Sequence, residues 1–155
     1  MDYLTLKKNI KTRRVTVAVI GLGHVGMPTA LALARSGIKV IGIDIDRARV
    51  NKLKSDRSHI ARISSQELKA VSKKLSWSTS WAEIKKCKVI LITVPTPLTK
   101  NKTPDTSAIE TATKNISKYL SEGSLVILES TTYPGTTDEL VCPLLEKSGR
   151  VAGKN

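Results

Sequence analysis

Three glycines spaced Gly21-x-Gly23-x-x-Gly26 stand between a β-branched apolar run and a small-residue stretch, and their chemistry is that of holding a ligand. In such a setting each has a mechanical task. Gly21 permits a tight turn out of a strand, Gly23 lets the backbone approach a pyrophosphate, and Gly26 lets the next helix pack closely on the sheet. His24 and Val25 complete the turn. The helix N-terminus beyond it offers free N–H groups and a dipole that favours negative charge. Asp44 follows 23 positions after Gly21, at the end of a second apolar run. That is close to the spacing of about 20 for the acid that accepts from adenosine ribose hydroxyls. A carboxylate there repels a 2′-phosphate and favours NAD over NADP, while Arg47 and Arg49 weaken that preference. An ordinary βαβ unit with a glycine-rich turn is the plainer reading, and it needs three glycines and a strand-end acid to coincide by chance.

Two further stretches place hydroxyls beside apolar runs. Lys88-Val-Ile-Leu-Ile-Thr-Val94 reads as a buried strand that ends in Pro95-Thr96-Pro97, where two prolines force an extended exit. Leu125–Glu129 reads as another strand and feeds Ser130-Thr131-Thr132-Tyr133-Pro134-Gly135-Thr136-Thr137. Ligands of an open α/β sheet bind outside the carboxyl ends of its strands. Pro95, Thr96, Ser130 and Thr131 are therefore expected on the ligand edge, with Ser130, Thr131 and Thr132 presenting hydroxyl donors. A structural turn also accounts for Thr96, and helix capping for Thr136 or Thr137.

The elements that position these residues follow from apolar periodicity. Strands are expected over Val15–Ile20 and Ile38–Ile43, apolar at nearly every position as interior parallel strands are. A helix carries Pro28 in its first turn and stops at Ser36-Gly37. Arg47–Lys54 opens another helix, and Leu68, Val71 and Leu75 repeat at helical steps after Ser65. Trp77-Ser-Thr-Ser suits a short edge strand, and 81–86 a helical turn. Both tryptophans suit packing better than a cofactor role. Residues 98–104 form a polar loop, and Ser107-x-x-Glu110 has the form of a capping box opening a helix to about Tyr119. A last helix runs through Leu140, Val141, Leu144 and Leu145. The alternation predicts an α/β fold, a doubly wound parallel sheet of Rossmann type in a single domain over 15–155, after a basic leader over 1–14 that frays at its start.

Composition sets outer bounds. The 155 residues suffice for one domain, and two Trp, three Tyr and no Phe leave an aliphatic core. No apolar run approaches the roughly 20 residues that cross a bilayer, and the first fourteen residues lack a secretory signal, so a cytoplasmic protein is expected. Cys87 and Cys142 have neither CxxC spacing nor histidine neighbours, so no metal site or disulfide framework is indicated. The net charge of +13 raises nucleic-acid binding. The basic residues are dispersed over many segments without aromatic platforms, which favours a solvated surface, part of it steering anionic ligands.

With Gly-Leu-Gly-His-Val-Gly-Met-Pro-Thr-Ala, Val94-Pro-Thr-Pro-Leu-Thr-Lys and Leu128-Glu-Ser-Thr-Thr-Tyr-Pro-Gly-Thr-Thr in order, the chain resembles the NAD-binding domain of the UDP-glucose/GDP-mannose dehydrogenase family. It is most similar to the branch that oxidises UDP-N-acetylglucosamine or UDP-N-acetylmannosamine at C6. His24 departs from the tyrosine usual there, which should tune cofactor contact. The resemblance implies NAD-dependent oxidation of a primary alcohol to a carboxylate in two hydride transfers, in polysaccharide biosynthesis. It also implies that His24, Val25, Asp44, Arg49, Thr96 and Thr131 touch NAD, and that Thr131 helps orient a catalytic water or substrate oxygen. The family's nucleophilic cysteine belongs to a C-terminal domain that also reads the UDP-sugar. Neither Cys87 nor Cys142 matches its motif, and both are expected to be structural. Full-length members are expected to be homodimers, with no nucleic-acid or membrane partner. The alternatives are a stand-alone nucleotide-sensing module, another two-domain NAD-dependent dehydrogenase and, last, a nucleic-acid-binding protein.

Overall fold

Strand and helix alternate along the chain in the computed structural model, which describes residues 2–154. Five strands, β1 (Thr16–Ile20), β2 (Lys39–Ile43), β3 (Leu75–Ser78), β4 (Val89–Ile92) and β5 (Leu125–Leu128), pair in parallel in the order β3-β2-β1-β4-β5. This is the doubly wound arrangement the alternation predicts. The order reverses between β1 and β4, which opens a crevice at their carboxyl ends.

Six α-helices accompany the strands: α1 (Tyr3–Lys11), α2 (Gly26–Arg35), α3 (Arg47–Lys54), α4 (Ser65–Val71), α5 (Ser107–Tyr119) and α6 (Cys142–Glu146). Alternate residues of each strand feed two separate cores. Val17 and Val19 of β1 join Met27, Ala30 and Leu31 of α2, with Leu53 and Leu68 from α3 and α4. Ala18 and Ile20 join Ile109 and Ile116 of α5, together with Ile84 from a 3₁₀ turn over Trp81–Lys86. Both sheet faces are covered, so the central strands β1, β2 and β4 read as nearly unbroken apolar runs, while the edge strand β3 carries two serines. Each fully buried isoleucine, such as Ile20, Ile43, Ile90 or Ile92, contributes about 1.5–3 kcal/mol relative to an exposed one.

Several expectations shift. Residues 3–11 of the basic leader form a helix capped by Asp2, whose side chain accepts from Thr5 N–H, and Leu6 of that helix is buried in the first core. Met1 and Asn155, the outer ends of the expected leader and domain, lie outside the described residues. The helical repeat through Leu75 breaks at Val71, because Leu75 opens β3 opposite Val40. A capping box is present at Ser64 and Glu67, whereas Ser107 and Glu110 do not form one. There the Asp105 carboxylate accepts from Ser107 N–H instead. Neither Thr136 nor Thr137 caps the last helix through its side chain; Thr136 is buried and donates to Tyr133 O at 2.7 Å. That helix starts as a π turn over Thr137–Val141 and passes into α6. Pro143 explains the widening, since it has no N–H to return to the carbonyl of residue 139.

Candidate functional site

The glycine turn leaves β1 at the reversal of strand order. Gly21 has φ +89°, and its N–H donates to Ile43 O at 2.8 Å, so the turn is tied to the end of β2. A Cβ on Gly26 would overlap Gly21 O and Thr93 Oγ1, so the packing of α2 against the turn excludes every other residue. Gly23 differs. Its φ is not positive, and a Cβ there would meet nothing within 4 Å. Neither backbone strain nor packing requires glycine at this position, and the open space leaves room for a ligand to approach bare backbone. Side-chain oxygens of Asp2, Asp46 and Ser64 cap α1, α3 and α4, but no side chain caps α2. Its N-terminus beside Gly23 is therefore available to an anion. His24 and Val25 are exposed on the turn. His24 also opens onto a cleft of about 450 Å³ floored by Pro28 and Leu31 and closed by Ile60 and Ile63.

Asp44 lies at the carboxyl end of β2, buried at 5 % exposure. Its Oδ2 accepts from Leu22 N–H at 2.7 Å and from Arg49 Nη1 at 2.6 Å, and its Oδ1 accepts from Asp46 N–H at 2.9 Å. A carboxylate offers about four acceptor positions, so one remains for a ligand hydroxyl. Arg49 is thus held on the acid rather than free beside it. Its backbone N–H donates to the Asp46 carboxylate at 3.0 Å, and this bond, followed by the Arg49 charge, holds the Asp46 carboxyl below its usual range.

The ends of β4 and β5 face the same crevice. Thr96 Oγ1 donates to the carbonyl of Thr131 and ties the two loops together, with Pro95 exposed beside it. Ser130 Oγ donates to Val94 O at 2.7 Å, and Thr132 Oγ1 meets Thr136 Oγ1 at 3.1 Å. The expected triplet of ligand-facing donors is accordingly reduced. Ser130 and Thr132 spend their hydroxyls on the protein, because chain leaving a strand must satisfy its own polar groups. Thr131 is exposed, and its hydroxyl has no partner among the described residues.

Three residues that sequence reasoning passes over complete the site. The buried Thr93 hydroxyl sits 2.9 Å from Ile20 O and 2.8 Å from Gly21 O, sharing its proton between them and clamping the turn to β4. Leu22 N–H anchors Asp44. His59 Nε2 donates to Leu22 O at 2.7 Å, which leaves Nδ1 buried without a partner among the described residues. Thr93 sits in an apolar run and His59 in a polar loop, and nothing in their spacing signals a common target. Burial raises the Cys87 thiol to about 12, and desolvation followed by the Glu146 charge raises that of Cys142. Neither is set up as a nucleophile, since the thiolate is the reactive form.

A bare glycine facing an uncapped helix N-terminus, one strand away from a buried acid with acceptor capacity to spare, defines a dinucleotide-binding domain of the doubly wound class. Residues 15–154 match the UDP-glucose/GDP-mannose dehydrogenase family, NAD binding domain, and the chain belongs to that family. It is 40% identical over 131 residues to a UDP-N-acetyl-D-glucosamine 6-dehydrogenase of Pseudomonas aeruginosa, covering 84% of this chain and 31% of that protein. The solved structure of a UDP-D-ManNAc dehydrogenase from Pyrococcus horikoshii superposes with a TM-score of 0.83 at 38% identity, covering 89% of this chain and 34% of that one. A GDP-mannose dehydrogenase from Pseudomonas aeruginosa, solved as a ternary complex, gives a TM-score of 0.81 at 30% identity, with 87% and 33% covered. The chain thus spans about a third of the length of the relatives it matches. NAD is the cofactor of this domain, and the glycine turn and Asp44 fit it.

Proposed function

We propose that this chain is the cofactor-holding part of a nucleotide-sugar 6-dehydrogenase, which oxidises the C6 alcohol of a UDP-N-acetylhexosamine to a carboxylate in two NAD-dependent steps. The observation that carries the reading is the open space at Gly23 beside the uncapped start of α2. Similarity to enzymes named for UDP-N-acetyl-D-glucosamine and UDP-N-acetyl-D-mannosamine supports the substrate class. In this reading Gly21, Gly23 and Gly26 shape the pyrophosphate seat, His24 and Val25 flank it, and Asp44 accepts from ribose hydroxyls while Arg49 orients that carboxylate. Pro95, Thr96 and Ser130 hold the two loops against the nicotinamide half of the cofactor. Thr131, able to donate one hydrogen bond and accept others, orients a water or substrate oxygen. Bound NAD supplies the hydride acceptor. Neither cysteine of this chain is the attacking thiol, so the chain alone binds NAD and does not turn over sugar.

Calorimetric titration tests the assignment. The chain should bind NAD more tightly than NADP, and Asp44→Ala and Asp44→Asn should each weaken NAD by about tenfold, as expected for lost hydrogen bonds to a charged group. Tighter binding of NADP than of NAD would sink the assignment. NADH production from UDP-N-acetylglucosamine by these 155 residues above a no-enzyme control would refute the division of labour.

A further inference from the structure

The five strands run in one direction, so their amino ends share an edge opposite the carboxyl ends that carry the cofactor site. That edge is basic. Arg13 and Arg14 precede β1, Lys39 opens β2, Lys74 precedes β3 and Lys88 precedes β4. Below β4 and β5 it opens into a pocket of about 570 Å³, in whose wall Lys85, Lys88, Lys118 and Arg150 stand against a single carboxylate, Glu122.

We propose that this pocket is a second anion site, built to take a phosphate group. Two of its cations are held in place. Lys88 Nζ donates to Ser121 Oγ at 2.8 Å and to Glu122 O at 2.7 Å, which leaves one of its three donors over. Lys85 Nζ lies over the Tyr119 ring, 5.5 Å from its centroid. Lys118 has no ion-pair partner among the described residues, and Arg150 Nε is buried with no hydrogen-bond partner among them. An unsatisfied buried donor costs about 1–3 kcal/mol. Four cations line the pocket with one acidic residue, Glu122, among its lining, and a bound anion relieves their mutual repulsion. Charge-assisted bonds from lysine and arginine to phosphate oxygens are short and strong, and arginine presents its donors as a fork that suits them. The chemistry is shared by free phosphates and by lipid headgroups.

Site-resolved NMR titration with inorganic pyrophosphate tests this on the intact chain, because amide shifts separate the pocket from the glycine turn. Saturable shifts are expected at 85–88 and 118–122, weakened by about tenfold in Lys118→Gln/Arg150→Gln. NAD titration of that variant should be unchanged, which shows that it folds. Lys52→Gln/Lys54→Gln, at two exposed positions of α3, removes the same charge elsewhere and should leave pyrophosphate binding intact. Equal weakening by both pairs would reduce the effect to net charge and overturn the proposal, as would shifts confined to the glycine turn. Co-sedimentation with phosphatidylglycerol vesicles separates the sources. Sedimentation competed by pyrophosphate assigns a headgroup, and pyrophosphate binding without sedimentation assigns a free phosphate. Failure to bind either overturns the site.

Discussion

Around the glycine turn, where the ends of β1 and β2 meet Thr93 just past β4, the polar groups are buried and engaged: Asp44 accepts from Leu22, Asp46 and Arg49, and Thr93 clamps Ile20 and Gly21. Beyond Thr93 the loops leaving β4 and β5 border the same crevice, with the exposed Thr131 hydroxyl unpaired among the described residues and Thr96 bridging by one bond. The strands behind them differ likewise. Every residue of β4 is buried, whereas none of β5 is, and Leu125 is 39% exposed. One half of the site is preorganised by the core. The other is held by loop-to-loop hydrogen bonds, Thr96 to Thr131 O and Ser130 to Val94 O, above a less buried strand. Preorganisation suits the part that must reproduce one fixed cofactor geometry, since it lowers the ordering cost of binding.

Substitutions should separate the halves by size of effect. Gly26→Ala places a methyl on Gly21 O and Thr93 Oγ1, and it should destabilise the domain by about 3 kcal/mol or prevent folding, as read by urea unfolding. A loss below about 1 kcal/mol would mean that the turn is softer than its packing indicates. Thr93→Val keeps the shape but removes the clamp, at an expected cost of about 1–3 kcal/mol with weaker NAD binding. Thr131→Val, its counterpart across the crevice, should stay within about 0.5 kcal/mol. Equal effects from these two would erase the contrast.

The smallest effect lies on the flank of the preorganised half, where Glu67 of the capping box also pairs with Arg35 and joins α4 to α2. The Ser64 N–H, then Arg35, lower its carboxyl from 4.5 to about 2. A depressed folded-state value means a contribution that is complete above 4.5 and lost as pH falls through about 2. Thermal unfolding between those pH values should show the loss, and Glu67→Gln should flatten it. An unchanged pH profile in the variant would show that the box does not couple the helices.

The fold was legible because the central strands β1, β2 and β4 are buried on both faces and read as nearly unbroken apolar runs. Leu75 misled for the same physical reason: a buried leucine at a helical step satisfies both periods until its pairing with Val40 decides. Within the site, Gly21, Gly26 and Asp44 were legible because backbone geometry and charge restrict residue type there. The protein partners of the Ser130 and Thr132 hydroxyls were not legible, because a hydroxyl serves ligand and backbone equally well and sequence does not say which acceptor is nearer.

By itself the sequence determined the strand-turn-helix unit, the acid at the second strand end and the family, since spacing along one chain is enough to specify a local motif. Tertiary structure alone decided that Thr93 and His59 hold the glycine turn, that Arg49 sits on Asp44, and that basic residues from the segments around β4, α5 and 150 wall one pocket. The Thr93, His59 and pocket contacts join residues far apart in the chain, which only closure of the sheet brings together, and the turn into α3 is what swings Arg49 back onto Asp44.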